Sequence, residues 1–469
     1  MVFSDQSFVF FFLPLALAVC LGLWRTRAFH GAVLLFSLVF FYWSSGWLTL
    51  VLIASIALNY SGGLLVSRHR SKPLLAAILS ANLILLGWFK YAGFAAGIFD
   101  FTLSPTLVES ARAIILPIGI SFYTFQGMSY VLDVWRGHTR PEPNPLIFAA
   151  YQAFFPQLIA GPIVRYADVA ADFHAPHISV DNFTAGASRF MLGLLKKVVI
   201  ADTVAVIANA TFFSGQPMGF ASAWIGTIAF AIQIYFDFSG YSDMAIGLAM
   251  MFGIRFEENF NHPYAASTFT EFWRRWHISL SSWFRDYLYI PLGGNRLGAS
   301  RTYLNLLIVF LATGIWHGAA WTFVLWGLYH GAFIVAERLI FKGRLPHSEW
   351  LRLCYFFPVV LIGWTLFQAP DIGTFWRLLN GMITPFAADA LAFSPAMTAA
   401  ISPQSLCILG FGIAAMVLQR WIPPLGPVIE SAATPPRVAA RAVFILGGMV
   451  VSALFILPQS FSPFLYFRF

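Results

Sequence analysis

The sequence predicts an all-α polytopic membrane protein, a bundle of roughly eleven transmembrane or re-entrant helices with interfacial amphipathic helices around a central tunnel. Three observations carry this expectation. Of 469 residues, 59% are hydrophobic and only 10% charged, where a soluble domain carries about 25% charged residues. Apolar runs of roughly 18 residues or more recur from end to end, each long enough to cross a bilayer as a helix. Aromatic residues reach 17%, and Trp and Tyr favour the headgroup region, where an amphipathic ring is half wetted.

The first run, near 7–24, is preceded by Asp5 and by no basic residue, so it reads as a retained helix rather than a secretory signal. Further spans are expected near 31–46, 48–66, 73–96 and 113–132. The loops between them fix an orientation. Arg25 and Arg27, then Arg68, Arg70 and Lys72, then Arg136 and Arg140 follow the odd-numbered helices, while the even loops offer only Arg112. By the positive-inside rule the odd loops face the cytoplasm and the N-terminus faces outside. From Asn144 to Val164 the chain is uncharged but broken by Pro156, Gly161 and Pro162, which suits a kinked or re-entrant segment buried among other helices. Helical runs return near 183–208 and 219–254. The stretch 255–301 then gathers six arginines among Trp and Tyr and is expected to form amphipathic helices at the cytoplasmic interface. Two spans fit 302–340, another 353–369, and a last pair 404–419 and 442–459, which puts the C-terminus outside again. A single transmembrane domain over 1–469 is expected, ending in an extracytoplasmic aromatic tail at 461–469.

The net charge of +8 does not point to nucleic acid, because the basic residues sit in small groups between apolar runs. Cys20, Cys354 and Cys407 are isolated, without CxxC spacing, and read as small core hydrophobes.

Two histidines stand apart. His317 and His330 lie in an otherwise uncharged run from Tyr303 to Ala336, and an ionisable group at membrane depth is a functional candidate unless it packs across two helices. Gly314 and Gly318 flank His317 and leave room for a substrate or another backbone, while Trp316 and Trp321 can wall a tunnel. A neutral imidazole is suited to remove a proton from a hydroxyl, the step that acyl transfer to an alcohol needs. The donor carbonyl must also be polarised, and His277, beside Ser279, Ser281 and Ser282, is the candidate for that role. The same stretch also reads as a surface helix with Glu271 and Arg275 paired at i,i+4. No HExxH or CxxC motif occurs, so no protein-bound metal is expected.

The strings QIYFDFSGYSDMAIG (233–247), NFNHPYAASTFTEFWRRWHISLSSWFRDYLYIPLGGNR (259–296) and GIWHG (314–318) closely resemble the bacterial membrane-bound O-acyltransferase family. Within it the chain most resembles the alginate O-acetyltransferase branch, with its related cellulose acetylation proteins, and FFPQLIAGPIVRY (154–166) and GLLKKVVIAD (193–202) extend the likeness over nearly the whole length. The resemblance implies that His317 is the family's catalytic histidine and His277 its second polar site. It implies acetyl-coenzyme A as a donor substrate, with no permanently bound cofactor. Arg274, Arg275, Trp276 and Trp316 are the candidate contacts to the donor, although the two arginines equally suit lipid headgroups. Asp237, Asp243 and Asp286 are expected to pair structurally with the basic group of 255–301.

The resemblance further implies O-acetylation of an exported polysaccharide, alginate or cellulose first, in the bacterial inner membrane, with a periplasmic SGNH-hydrolase-like transferase and a polysaccharide synthesis and export complex as partners. Peptidoglycan, teichoic acid or a lipid are alternative acceptors. A transporter with proton-relay histidines is a further class, but no internal repeat supports it. Related systems carry a terminal aromatic motif around a tyrosine implicated as an acyl acceptor, which here would be Tyr466.

Overall fold

The computed structural model describes residues 1–341, 348–431, 434–457 and 464–465, and among these the ordered elements are helices. Among the described residues, seven helical stretches are long and apolar enough to cross a membrane, the first being Phe29–His69 and the last Pro435–Ile456. The runs expected at the N-terminus and near 404–419 are helices as well, Phe8–Gly22 and Pro403–Leu418, but shorter. Gly46, at φ 56°, divides Phe29–Ser45 from Thr49–His69, a conformation that glycine adopts without steric cost.

The chain divides into two compact units. The first gathers Met1–Leu192, Tyr241–Glu257 and Ile429–Arg468. One buried apolar cluster in it joins Phe41, Leu52, Leu86, Ile120, Tyr123, Ala153 and Leu158. With little hydrophobic drive between helices in lipid, polar side chains supply cohesion. Asn59 and Asn82 exchange side-chain amide bonds of 3.1 and 3.0 Å across two helices. The expected kinked segment consists of helix Pro145–Gln152, one turn at Phe155–Leu158 and irregular backbone, with residues 150–164 all buried. Protein surrounds the broken backbone, as its lost helical hydrogen bonds require.

The second unit comprises Gly193–Gly240 and Glu258–Val428. Helices Ala299–His317 and Trp321–Phe341 pack backbone to backbone in it. A Cβ on Gly314 would lie 2.3 Å from the Phe323 carbonyl, and one on Gly327 would lie 2.3 Å from that of Phe310. Such contact is open only to glycine, and it lets dispersion hold the helix pair.

Two sequence expectations are corrected. The stretch 255–301, expected as amphipathic helices, forms only short ones joined by turns and irregular backbone. It folds as a 3-10 turn at Pro263–Ala265, a four-residue helix at Phe269–Phe272, a seven-residue helix at Ile278–Phe284 and a π turn at Arg285–Tyr289. Its Phe269, Phe272, Trp273, Trp276, Trp283 and Phe284 are buried, so the aromatic rings face protein and the basic residues do not define a simple polar face. The acidic residues, in turn, do not all pair with that group. Asp243 takes Arg189 at 2.7 Å in the first unit, and Asp237 takes Lys197 at 2.7 Å in the second, where Asp202 also binds Lys197 at 2.8 Å. These cations come from the 183–208 run. Buried charge is tolerated only where partners compensate its desolvation, which fixes these helices against their neighbours. Asp286 alone pairs within the basic group, with Arg285 at 2.6 Å.

Candidate active site

His277 sits where two stretches of chain run side by side. The Asn261 N–H donates to the Arg275 carbonyl at 2.9 Å, and the Ile278 N–H donates to that of Asn259 at 3.0 Å. Between these bonds His277 takes a left-handed conformation, φ 45° and ψ 56°, and leads into helix Ile278–Phe284. A non-glycine residue there carries strain of about 1–3 kcal/mol, which surrounding contacts must hold. They are supplied by Asn259. Its side-chain oxygen accepts the Ser279 backbone N–H at 3.2 Å and the Ser279 hydroxyl at 2.9 Å.

This arrangement determines the histidine's tautomer. A backbone N–H can only donate, so the oxygen of the Asn259 amide must face it. His277 Nδ1 lies 3.1 Å from the same oxygen and must also be a donor. The proton is on Nδ1, and Nε2 carries a lone pair. Burial pushes His277 down to about 3, so the ring stays neutral. Polarising a carbonyl would need a proton on Nε2, whereas this tautomer offers an acceptor there.

His317 is the last residue of helix Ala299–His317 and is 3% exposed. Trp316, Trp326 and Phe367 enclose it edge-on, with ring centroids 5.1, 5.0 and 5.3 Å away, a geometry that aromatic quadrupoles favour. His277 stands edge-on to the same Trp316 at 6.1 Å, so one indole is common to both histidines. The space that Gly314 and Gly318 leave is filled by protein. Gly314 meets the neighbouring helix backbone, and a Cβ on Gly318 would come within 2.2 Å of the Phe323 ring.

The other candidates divide. Trp321 is 53% exposed, while Trp326 packs directly on the His317 ring. His330 Nδ1 accepts the Trp273 indole N–H at 3.3 Å, and its ring lies 4.7 Å from Trp326 on the way to His317, which supports packing between helices. Arg274 is exposed, while Arg275 binds Glu271 at 2.9 Å, the expected i,i+4 pair. Trp276 is buried between Phe272 and Trp364, with centroids at 5.5 and 4.8 Å, and so supports the site from behind. Tyr466 lies outside the described residues. Asn259, Trp326 and Phe367 were not anticipated. Asn259 stands eighteen residues before His277, a separation with no helical or strand period to reveal it.

Residues 136–360 match the model of MBOAT, the membrane-bound O-acyltransferase family. The chain is 40% identical to the probable alginate O-acetylase AlgI of Pseudomonas putida over all of both chains. It is 35% identical to the peptidoglycan O-acetyltransferase of Helicobacter pylori, covering 82% of this chain and 80% of that one. It is 28% identical to the teichoic acid D-alanyltransferase of Bacillus subtilis, over 59% of this chain and 74% of the other. With His277 and His317 inside the matched region and full-length relatives at this identity, the chain belongs to the membrane-bound O-acyltransferase family and is a multi-pass membrane O-acyltransferase.

Proposed function

We propose that the protein moves acetyl groups from cytoplasmic acetyl-coenzyme A, for O-acetylation of an exported polysaccharide at the bacterial inner membrane, with alginate or cellulose the leading candidate polymers. The observation that carries this reading is full-length identity of 40% to a probable alginate O-acetylase. The peptidoglycan O-acetyltransferase relative at 35% supports the second reading, in which acetyl is kept and the polymer differs.

His317 acts as the general base. It takes the proton from the acceptor hydroxyl as that oxygen bonds to the acetyl carbonyl carbon. The C–S bond breaks, and the leaving thiolate takes the proton back from the imidazolium. His277 is read as a second acceptor, orienting the hydroxyl through Nε2 rather than polarising the carbonyl. The charge of the loops supports a reading in which both termini face the periplasm.

The first acceptor is proposed to be Tyr466. Its phenol would carry the acetyl group as an ester to a periplasmic SGNH-hydrolase-like transferase of a polysaccharide synthesis and export complex. A phenol is a weak nucleophile until a base takes its proton, so Tyr466 has to meet His317.

Inverted vesicles holding the protein and its polymer system, supplied with labelled acetyl-coenzyme A, test the scheme. Label should enter the polysaccharide in the parent and be lost in Tyr466→Phe, which keeps the ring but not the hydroxyl. No label from acetyl-coenzyme A in the parent contradicts the donor, and full labelling in Tyr466→Phe contradicts the relay alone.

A further inference from the structure

Acyl transfer to a hydroxyl asks two things of the protein. A base must take the hydroxyl proton, and a hydrogen-bond donor must hold the negative charge that grows on the acyl oxygen when the carbonyl carbon is attacked. His317 is the base, but His277 Nδ1 gives its proton to Asn259 and its Nε2 presents a lone pair, so that ring cannot meet an oxyanion. The donor must be another proton-bearing group beside His317 whose hydrogen bond is not already made.

Buried indole N–H groups ordinarily find an acceptor, because they can only donate and their lost hydration is otherwise uncompensated. In the aromatic cluster beside His317 this holds for two tryptophans and fails for a third. Trp273 donates to His330 Nδ1 at 3.3 Å, and Trp364 donates to the Tyr264 hydroxyl at 3.0 Å. Trp326 neighbours both, with ring centroids 5.6 and 6.4 Å away, and is 0% exposed. Its Nε1 has no hydrogen-bond partner among the described residues. The same ring stands edge-on to His317 at 5.0 Å. Its place is fixed, since Phe367 packs edge-on against it at 5.2 Å and the next residue, Gly327, lies against the Phe310 carbonyl. A donor held this way needs no reorganisation when charge develops.

A second buried donor is excluded by its position. The Trp273 indole can only donate, so His330 Nδ1 accepts and the proton of the neutral ring sits on Nε2, which likewise has no partner among the described residues. A Cβ on Gly363 would lie only 2.9 Å from that nitrogen. The neighbouring helix therefore closes that side of His330 and leaves no room there for an acyl oxygen.

We propose that the Trp326 indole N–H is the oxyanion donor of the acyl transfer. The proposal rests on the reading of His317 as the base. A hydroxyl bonded to that imidazole stands about 3 Å from it, and the carbon it attacks lies about 3–3.5 Å further on, which brings the acyl oxygen into the space that the Trp326 ring borders. As the new C–O bond forms, the π pair of the carbonyl moves onto oxygen, where the indole N–H binds it without giving up its proton. When the pair returns, the C–S bond breaks and the leaving thiolate takes the proton from the imidazolium.

The test removes the N–H and keeps the ring. Trp326→Phe is compared with the full-length protein carrying 3-benzothienylalanine at position 326, which puts sulfur in place of N–H on the same bicyclic frame. Both are assayed in the inverted vesicles by release of coenzyme A from acetyl-coenzyme A and from its dithioester analogue, whose thiocarbonyl sulfur is a poor hydrogen-bond acceptor. Loss of one oxyanion donor predicts a fall of about 10² to 10³ in kcat, with KM nearly unchanged and the parental melting temperature. With the dithioester most of that difference should vanish, because the parent has no strong bond to lose; a purely structural role for the ring would penalise both donors alike. A benzothienylalanine protein as fast as the parent overturns the proposal, and so does an equal penalty on the two donors. If Trp326→Phe melts early, the benzothienylalanine protein decides alone. His317→Ala is run beside them, and a parental rate there removes the base while the ratio between the two donors still judges Trp326. Should the parent not turn over acetyl-coenzyme A, the donor reading fails. The acyl content of polymer made in cells by the parent and by the benzothienylalanine protein then becomes the readout, with equal content overturning the proposal.

Discussion

His277 donates its Nδ1 proton to the same Asn259 oxygen that accepts the Ser279 backbone N–H, at 3.1 and 3.2 Å. One asparagine therefore sets both the ring's position and its tautomer, and the lone pair on Nε2 is a consequence of a backbone group that can do nothing but donate.

Removing that oxygen should release the ring. Asn259→Ala is expected to slow acetyl transfer by between about tenfold and a hundredfold through misplacement of His277. Asn259→Asp, which keeps the acceptor, should retain most of the rate. Rates normalised to folded protein check this, and an Asn259→Ala enzyme as fast as the parent would show that the tautomer does not matter.

The burial of His277 has a consequence for stability. Its folded value of about 3 lies below the ordinary value of about 6.5, so the unfolded chain takes up this proton first as pH falls. The group's contribution is fully present above about pH 6.5 and is lost as pH falls toward 3. His277→Gln should therefore flatten the decline in melting temperature between about pH 6.5 and 4. A pH series of melts identical to that of the parent would mean that the ring gains its proton as easily folded as unfolded.

Lys197 holds Asp237 and Asp202 together at 2.7 and 2.8 Å, all three buried or nearly so. Lys197→Met leaves two carboxylates facing one another in a low-dielectric interior. Breaking a buried pair costs about 3–5 kcal/mol, and the expected sign is a large fall in melting temperature in detergent. Adding Asp237→Leu should recover part of it. A Lys197→Met protein that melts with the parent contradicts a structural role for the cluster.

Gly314 lies against the Phe323 carbonyl, 2.3 Å from where a Cβ would be. Gly314→Ala must push the His317 helix off its neighbour, at a cost of roughly 1–3 kcal/mol for overpacking. Gly410→Ala is the control, since nothing lies within 4 Å of that position. Equal melting temperatures for the two variants would refute the close crossing.

The sequence made the spans legible because a bilayer imposes a minimum apolar length, and His317 was legible because an ionisable group in such a run is rare. The broken stretch around Pro156 and Gly161 was likewise readable, since backbone that cannot bond to itself must be buried in protein. What escaped were partners set by tertiary folding. Arg189 and Asp243 are 54 residues apart, and each alone looks like an isolated charge. Composition misled at 255–301, where Trp and Arg together imitate an interfacial helix. Only the three-dimensional path shows Trp273, Trp276 and Trp283 turned inward.

The most direct test replaces the imidazole that ends its helix among Trp316, Trp326 and Phe367. His317→Ala, expressed at the parental level and with the parental melting temperature, is measured for acetyl transfer from labelled acetyl-coenzyme A. Loss of a general base predicts a fall of about 10² to 10⁴ in rate. A rate within a few-fold of the parent would contradict base catalysis by His317.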